Sequence, residues 1–152
     1  MEHPSFTFRL ERVRSLRERA EDAAREGLAR ELSHRIRGES LLRDATHAVS
    51  HARDAGRDTV LTTGASGADL LAAQAWMERA EQRRCEAVTD LGRRDADVAR
   101  SRQALTKAAR EREAIERLKR RRRADHDAEG LRRAQASLDE IALTVHRRGS
   151  AA

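Results

Sequence analysis

The sequence predicts an all-α fold, an antiparallel two-helix coiled-coil hairpin with unequal arms. Three observations predict it: 38 % of the residues are charged, only 2 % are aromatic, and Pro4 is the single proline. So few large side chains cannot fill a globular core of this length, whereas the composition is typical of long helices. Disorder is the competing reading of so much charge. It is rejected because apolar residues recur at helical spacing along most of the chain.

The first helix is predicted over residues 6–55, after a short disordered start at residues 1–5. Its first apolar residues step by 3 and 4, as in a coiled-coil seam: Val13, Leu16, Ala20 and Ala23. The apolar residues that follow are spaced by 4: Ala24, Leu28, Leu32 and Ile36. The last ones are again spaced by 3 and 4, in a shifted phase: Leu42, Ala45, Val49 and Ala52. We therefore predict a stutter that relaxes the supercoil without breaking the helix.

A loop is predicted over residues 56–67, where glycines and β-branched residues disfavour helix. The glycines of this segment lack the preceding strand of a dinucleotide-binding turn and the lysine of a phosphate-binding loop. Ser66 followed by Asp69 resembles a helix N-cap with an acid in the first turn. The segment is therefore interpreted as the hairpin connection.

The second helix is predicted over residues 68–147, followed by a disordered tail at 148–152, with residues 1–152 forming one domain. One half of its seam repeats every seven residues: Leu70, Met77, Arg84, Leu91, Val98 and Leu105. The other half is Ala73, Ala80, Ala87, Arg94, Ser101, Ala108 and Ile115. Folding at the loop places residue 6 near residue 119, so residues 120–147 overhang. Their apolar stripe has no intramolecular partner and predicts a protein-binding element or self-association.

No catalytic or metal site is expected, because a two-helix fold offers no pocket. Cys85 is the only cysteine, which rules out an internal disulfide and fits a reducing compartment. Asp44, His47 and His51 share one face of the first helix, but that face is expected to be open to water. No cofactor is predicted. No signal peptide or membrane span is recognised, so a cytoplasmic protein with only indirect membrane association is expected.

The run of five basic residues at 119–123 is the sharpest electrostatic feature of the sequence. An acidic protein surface is the favoured partner, since arginine forks onto carboxylates. Nucleic acid is disfavoured because acidic residues follow at once and no aromatic residue interleaves for base stacking. Trp76, near the hairpin loop, is either a partly exposed interface anchor or a ring lying over the end of the first helix.

Several stretches together resemble the flagellar export protein FliJ family. The opening of the first helix does so at residues 6–13, 16–17 and 20–24. The basic segment at 115–121 and the residues Leu138, Asp139, Glu140, Ile141 and Ala142 are similar to that family's C-terminal part. Residues 54–67 show no likeness.

The resemblance implies a non-enzymatic component of the flagellar type III export apparatus, at the cytoplasmic face of the inner membrane. It implies three partners: the export ATPase hexamer, the export-gate membrane protein and export chaperones. The ATPase-facing residues would be Phe8, Leu10, Val13, Leu118, Lys119, Arg120, Arg121 and Arg122. The gate-facing residues would be Trp76 and Ala80.

For the overhanging arm, the predicted interface is Leu131, Leu138, Asp139, Glu140, Ile141 and Val145. Two other functions stay open from the sequence. One is a generic coiled-coil scaffold or homodimer, and the other is a basic helical nucleic-acid-binding protein.

Overall fold

The computed structural model describes residues 5–62 and 64–149. They form two long helices, α1 at Glu11–Leu61 and α2 at Gly67–Gly149. The helices pack on each other as a hairpin with unequal arms, which confirms the predicted all-α fold. Of the two predicted disordered ends, residues 1–4 and 150–152 lie outside the described part of the chain. The tail prediction is wrong for Arg148 and Gly149, which belong to α2.

The helix α1 begins and ends about five residues later than the sequence pattern indicated. At its start, residues 5–8 have no regular structure, and the Glu11 backbone N–H donates to the Phe8 carbonyl at 3.1 Å. At its end, the hydroxyls of Thr59 and Thr62 donate to the carbonyls of Ala55 and Asp58 at 2.9 and 2.7 Å. These back-bonds to the preceding turn are compatible with helix despite the β-branched residues.

The connection between the helices is therefore short, residues 62–66, instead of the predicted 56–67. Gly64 has φ of 93°, a left-handed conformation that favours glycine. The predicted N-cap of α2 is present. The Ser66 hydroxyl accepts from the Asp69 N–H at 3.2 Å, while the Asp69 carboxylate accepts from the Ser66 N–H at 2.9 Å.

The chain divides into two compact units, which are described separately. The loop unit is Asp22–Lys107, and the terminal unit is Met1–Glu21 with Ala108–Ala152. The core of the loop unit near the hairpin connection consists of Val49, Ala52 and Ala80, with Met77 packed against it. These are mostly small side chains, so the two helices approach closely there.

Close approach also explains a glycine that the sequence analysis did not single out. Gly38 of α1 is buried, and a Cβ at this position would lie 2.8 Å from Cδ of Arg94 on α2. The guanidinium of Arg94 passes over this gap and donates to the His34 carbonyl at 3.3 Å. The missing side chain thus makes room for an arginine that occupies a seam position.

The seam predicted for α2 is confirmed, since its residues from Ala73 to Ile115 are buried or half-buried. Leu70, the first residue of the prediction, is exposed instead. It stands beside the connection, where little of α1 remains to cover it.

The stripe predicted for the start of α1 is wrong. Val13, Leu16, Ala20 and Ala23 are exposed. Among the buried and half-buried residues of α1, one series keeps steps of 3 and 4 along the helix without a stutter: Arg14, Arg17, Glu21, Ala24, Leu28, Glu31, Arg35, Gly38, Leu42, Ala45, Val49, Ala52, Gly56 and Thr59. The apolar pattern was misleading because charged residues occupy the first seam positions, where they pair across the helices.

Candidate protein-binding surfaces

The helices of the terminal unit are joined largely by ion pairs. Four of these cross between α1 and α2: Glu11–Lys119, Arg14–Glu116, Arg17–Glu111 and Glu21–Arg112. The distances from Lys119 Nζ to Glu11 Oε2 and from Arg14 Nη1 to Glu116 Oε1 are 2.9 and 3.1 Å. We call these four contacts the ion-pair ladder. It fixes the phase of α1 and turns Val13 and Leu16 toward solvent.

Beyond the ladder, the segment before α1 forms a groove with α2. Its volume is about 560 Å³, and its lining includes Phe6, Phe8, Leu10, Leu118 and Arg122. The two rings are held from the α2 side. His126 meets the Phe6 ring edge-on at 5.6 Å between centroids, and Lys119 Nζ lies 5.9 Å from the centre of the Phe8 ring. We call this surface the aromatic groove.

The contact between Phe6 and His126 corrects the predicted extent of the overhang. The sequence analysis placed residue 6 beside residue 119, whereas the structure places it beside residue 126. One cause is the turn, which is centred on Gly64 and so lies later than the centre of the predicted loop. The other is that residues 5–8 are not helical, because extended chain rises about 3.3 Å per residue instead of about 1.5 Å and so reaches further along α2. The overhang consequently starts near residue 127 instead of residue 120.

The arginines that follow Lys119 are exposed to solvent, and Arg122 also lines the aromatic groove. Arg120, Arg121 and Arg122 are exposed. Within the described part of the chain, none of the three has a carboxylate at ion-pair distance. Arg123 differs, since its Nε lies 4.0 Å from Asp127 Oδ2. The three arginines therefore form a positive patch beside the aromatic groove, and we call them the arginine patch.

The pKa of the Glu11 carboxyl is lowered from its ordinary value of 4.5, chiefly by the hydrogen bond from Lys119 and then by that from Arg14. The pKa of Glu113 is lowered from 4.5 as well, first by its hydrogen bond with Arg117. A carboxyl whose folded pKa is depressed stabilises the fold fully above its unfolded pKa. That contribution is lost as the pH falls through the folded pKa.

We therefore expect the unfolding midpoint in urea to fall as the pH is lowered below about 4.5. Glu11→Gln should lower the midpoint at neutral pH and reduce the difference between neutral and acid pH. Glu26→Gln is the matched control, because Glu26 is exposed and has no cation at ion-pair distance among the described residues. Circular dichroism at a series of pH values measures both. An unchanged pH profile for Glu11→Gln would contradict the role given to the ladder.

The hairpin end of the loop unit carries exposed apolar side chains. Trp76 is exposed, as the first of its two interpretations requires. The neighbouring large side chains that are also exposed are Val60, Leu61, Leu70 and Leu71. The sequence analysis missed Val60, Leu61 and Leu71 as surface candidates, although their positions off the seam beside the loop could have indicated them. Ala80, in contrast, is buried against Val49 and Ala52, so its side chain is not available to a partner.

The last part of α2 carries the predicted arm interface. All six predicted residues are exposed: Leu131, Leu138, Asp139, Glu140, Ile141 and Val145. Over residues 127–145, no hydrogen bond, ion pair or ring contact to the first arm is present in the described structure.

Asp44, His47 and His51 are exposed on α1. Across residues 5–62 and 64–149, no three or more His, Cys, Asp or Glu side chains come together as a metal-binding group. Cys85 is exposed. Neither helix contains, within the same ranges, an apolar segment of the length that a membrane crossing requires.

Comparison with models of known protein families shows which family the chain belongs to. The model of the family described as flagellar FliJ protein matches residues 6–151, which is nearly the whole chain. This chain belongs to the FliJ family. A search of curated proteins and a search of solved structures each gave no match.

Membership in the FliJ family makes the chain a non-catalytic component of the flagellar export apparatus. The structure brings together Phe8, Leu10, Leu118 and Arg122 of the predicted ATPase-facing set in the aromatic groove. Lys119 is engaged with Glu11, and Val13 lies exposed beside the ladder. Arg120 and Arg121 belong to the arginine patch. The roles of these residues in a FliJ-family protein stay predictions.

Proposed function

We propose that this FliJ-family chain is an accessory stalk of the flagellar export ATPase. In this proposal the terminal unit binds the ATPase hexamer, and the hairpin end meets the export-gate membrane protein. Export chaperones are escorted by the same chain. The protein acts at the cytoplasmic face of the inner membrane through these partners. It performs no chemistry itself, and ATP is hydrolysed by the partner.

The observation that supports the proposed ATPase contact is that the arginine patch lies next to the aromatic groove. Among the described residues, no carboxylate lies at ion-pair distance from Arg120, Arg121 or Arg122. Their charge is available to steer and orient an acidic collar. The aromatic groove beside them offers Phe6 and Phe8, and such rings are common anchors of protein interfaces.

Support for the gate contact comes from the hairpin end of the loop unit. Trp76, Leu61 and Leu71 are each exposed there, and large exposed apolar side chains are available to a protein partner. Because Ala80 is buried, we keep Trp76 in the proposed gate surface and replace Ala80 with these two leucines.

Capture of the purified export ATPase on the immobilised chain tests the ATPase contact. We expect the triple variant Arg120→Glu, Arg121→Glu, Arg122→Glu to weaken capture at least about tenfold, because charge reversal turns attraction into repulsion. The matched control reverses three other arginines of α2 that are exposed and unpaired in the described structure: Arg79, Arg83 and Arg102. Circular dichroism must show equal helix content in both variants.

Capture that is unchanged in the first variant, or equally weakened in the control, would contradict the proposal. The exposed arginines also fit phosphates, so a salt titration with duplex DNA is run beside the capture experiment. Tight DNA binding that falls steeply with salt and is lost in the first variant would favour the nucleic-acid function instead.

A further inference from the structure

The end of α2 carries half of a coiled coil without its partner. Its apolar residues step by 3 and 4: Leu131, Ala134, Leu138, Ile141 and Val145. The four large ones are exposed. At about 100° per residue, this stripe lies about a third of a turn away from the α2 side chains that face α1, which include Lys119, Arg122 and His126. The stripe lies in the overhang, past the α2 residues that α1 contacts, and it does not continue the face of those residues. The first arm therefore does not cover it.

The face that carries this stripe has no charge. The residues within a quarter turn of its centre line, from 130 to 145, are Gly130, Leu131, Ala134, Gln135, Ser137, Leu138, Ile141, Ala142 and Val145. The four charged residues of the same segment lie on the other side: Arg132, Arg133, Asp139 and Glu140. Two identical faces of this kind can therefore meet without like-charge repulsion, and the small residues among them permit close approach.

Charge returns only where the stripe ends, and its sign differs at the two ends. The position one step before Leu131 is Asp127, and the position one step after Val145 is Arg148. A parallel pair would place Asp127 beside Asp127 and Arg148 beside Arg148. An antiparallel pair places the acidic end of one copy beside the basic end of the other, which is the complementary arrangement.

We propose that residues 131–145 of α2 pair with the same residues of a second copy in an antiparallel coiled coil. Leu131, Leu138 and Val145 form one half of the stripe, and Ala134 and Ile141 form the other. In the register that places one half opposite the other, Leu131 lies opposite Ile141, and Ala134 lies opposite Leu138. The same register puts Asp127 near Val145 and Arg148 of the other copy. This inference does not rest on the proposed ATPase contact, which uses the arginine patch and the aromatic groove.

Sedimentation equilibrium of the full chain tests the pairing. We expect a monomer–dimer equilibrium, with Leu138→Glu weakening dimerisation at least about 100-fold because both copies lose a buried leucine. Leu143→Glu is the matched control. Leu143 is 57 % exposed and Leu138 is 64 % exposed, but Leu143 lies on the opposite side of the same helix. A wild-type chain that stays monomeric at all concentrations, or a dimer that both variants weaken equally, would overturn the proposal.

Oxidative cross-linking tests the antiparallel orientation, in a Cys85→Ala background that removes the only native thiol. Ser137 flanks the stripe near the expected two-fold axis, so Ser137→Cys should give a disulfide-linked dimer. Ala136→Cys, one residue away on the outer side, should not. In a parallel pair, the two Ser137 positions lie on opposite sides of the seam. Failure of Ser137→Cys to cross-link, or equal cross-linking of Ala136→Cys, would therefore exclude the proposed arrangement.

Discussion

Val49→Asp should lower the free energy of unfolding by about 3 kcal/mol or more, because the fold buries this carboxylate in an apolar contact between the helices. Val49 is 4 % exposed and packs with Ala52 and Ala80 in the core of the loop unit. The surrounding side chains are apolar, namely Ala52 and Ala80 with Met77 packed against them, so none of them can hydrogen-bond the carboxylate. The carboxylate is hydrated only if the helices separate locally. Urea unfolding followed by far-ultraviolet circular dichroism measures the loss.

Leu41→Asp is the matched control for this prediction. Leu41 also belongs to α1 and to the loop unit, but its side chain is 59 % exposed. The same introduced carboxylate should then cost less than about 1 kcal/mol, because it remains in water. Equal losses for the two variants would mean that the contact around Val49 does not hold the helices together.

The second large effect is expected from reversing one charge of the ion-pair ladder. Glu21→Arg should destabilise the chain by about 2–3 kcal/mol, because it places two guanidinium groups together at a seam position. The Glu21 side chain is 5 % exposed, while its partner Arg112 is 40 % exposed. We therefore expect a smaller loss of stability than for a fully buried ion pair. The hydrogen bond with Glu21 also raises the pKa of Arg112.

The double variant Glu21→Arg, Arg112→Glu should recover at least half of this loss, because it restores opposite charges across the helices. Such recovery separates the pair's interaction from other effects of each substitution. Asp90→Arg is the control, because Asp90 and Arg93 pair within α2 at an exposed site. It should change stability by no more than about 0.5 kcal/mol. No recovery in the double variant would show that the ladder does not fix the phase of α1.

The sequence by itself determined the helical hairpin and the phase of α2. Between residues 73 and 115 of α2, apolar or small residues occupy most seam positions, so periodicity and burial agree. The N-cap at Ser66 was also predictable, because the Ser66–Asp69 spacing satisfies the first backbone N–H groups of a helix locally. The phase of α2 and its N-cap could be predicted because each depends on residues that are close together along the same helix.

Only the tertiary structure decided the phase of α1. Periodicity assigned Val13 and Leu16 to the seam, whereas Arg14 and Arg17 occupy it by pairing with Glu116 and Glu111. A pattern of hydrophobicity cannot detect such a seam, since each charge is compensated by a residue about 100 positions away in the chain. The arginine patch was read directly from the sequence. The aromatic groove beside it depends on where the chain turns, and that position follows from how the two helices pair.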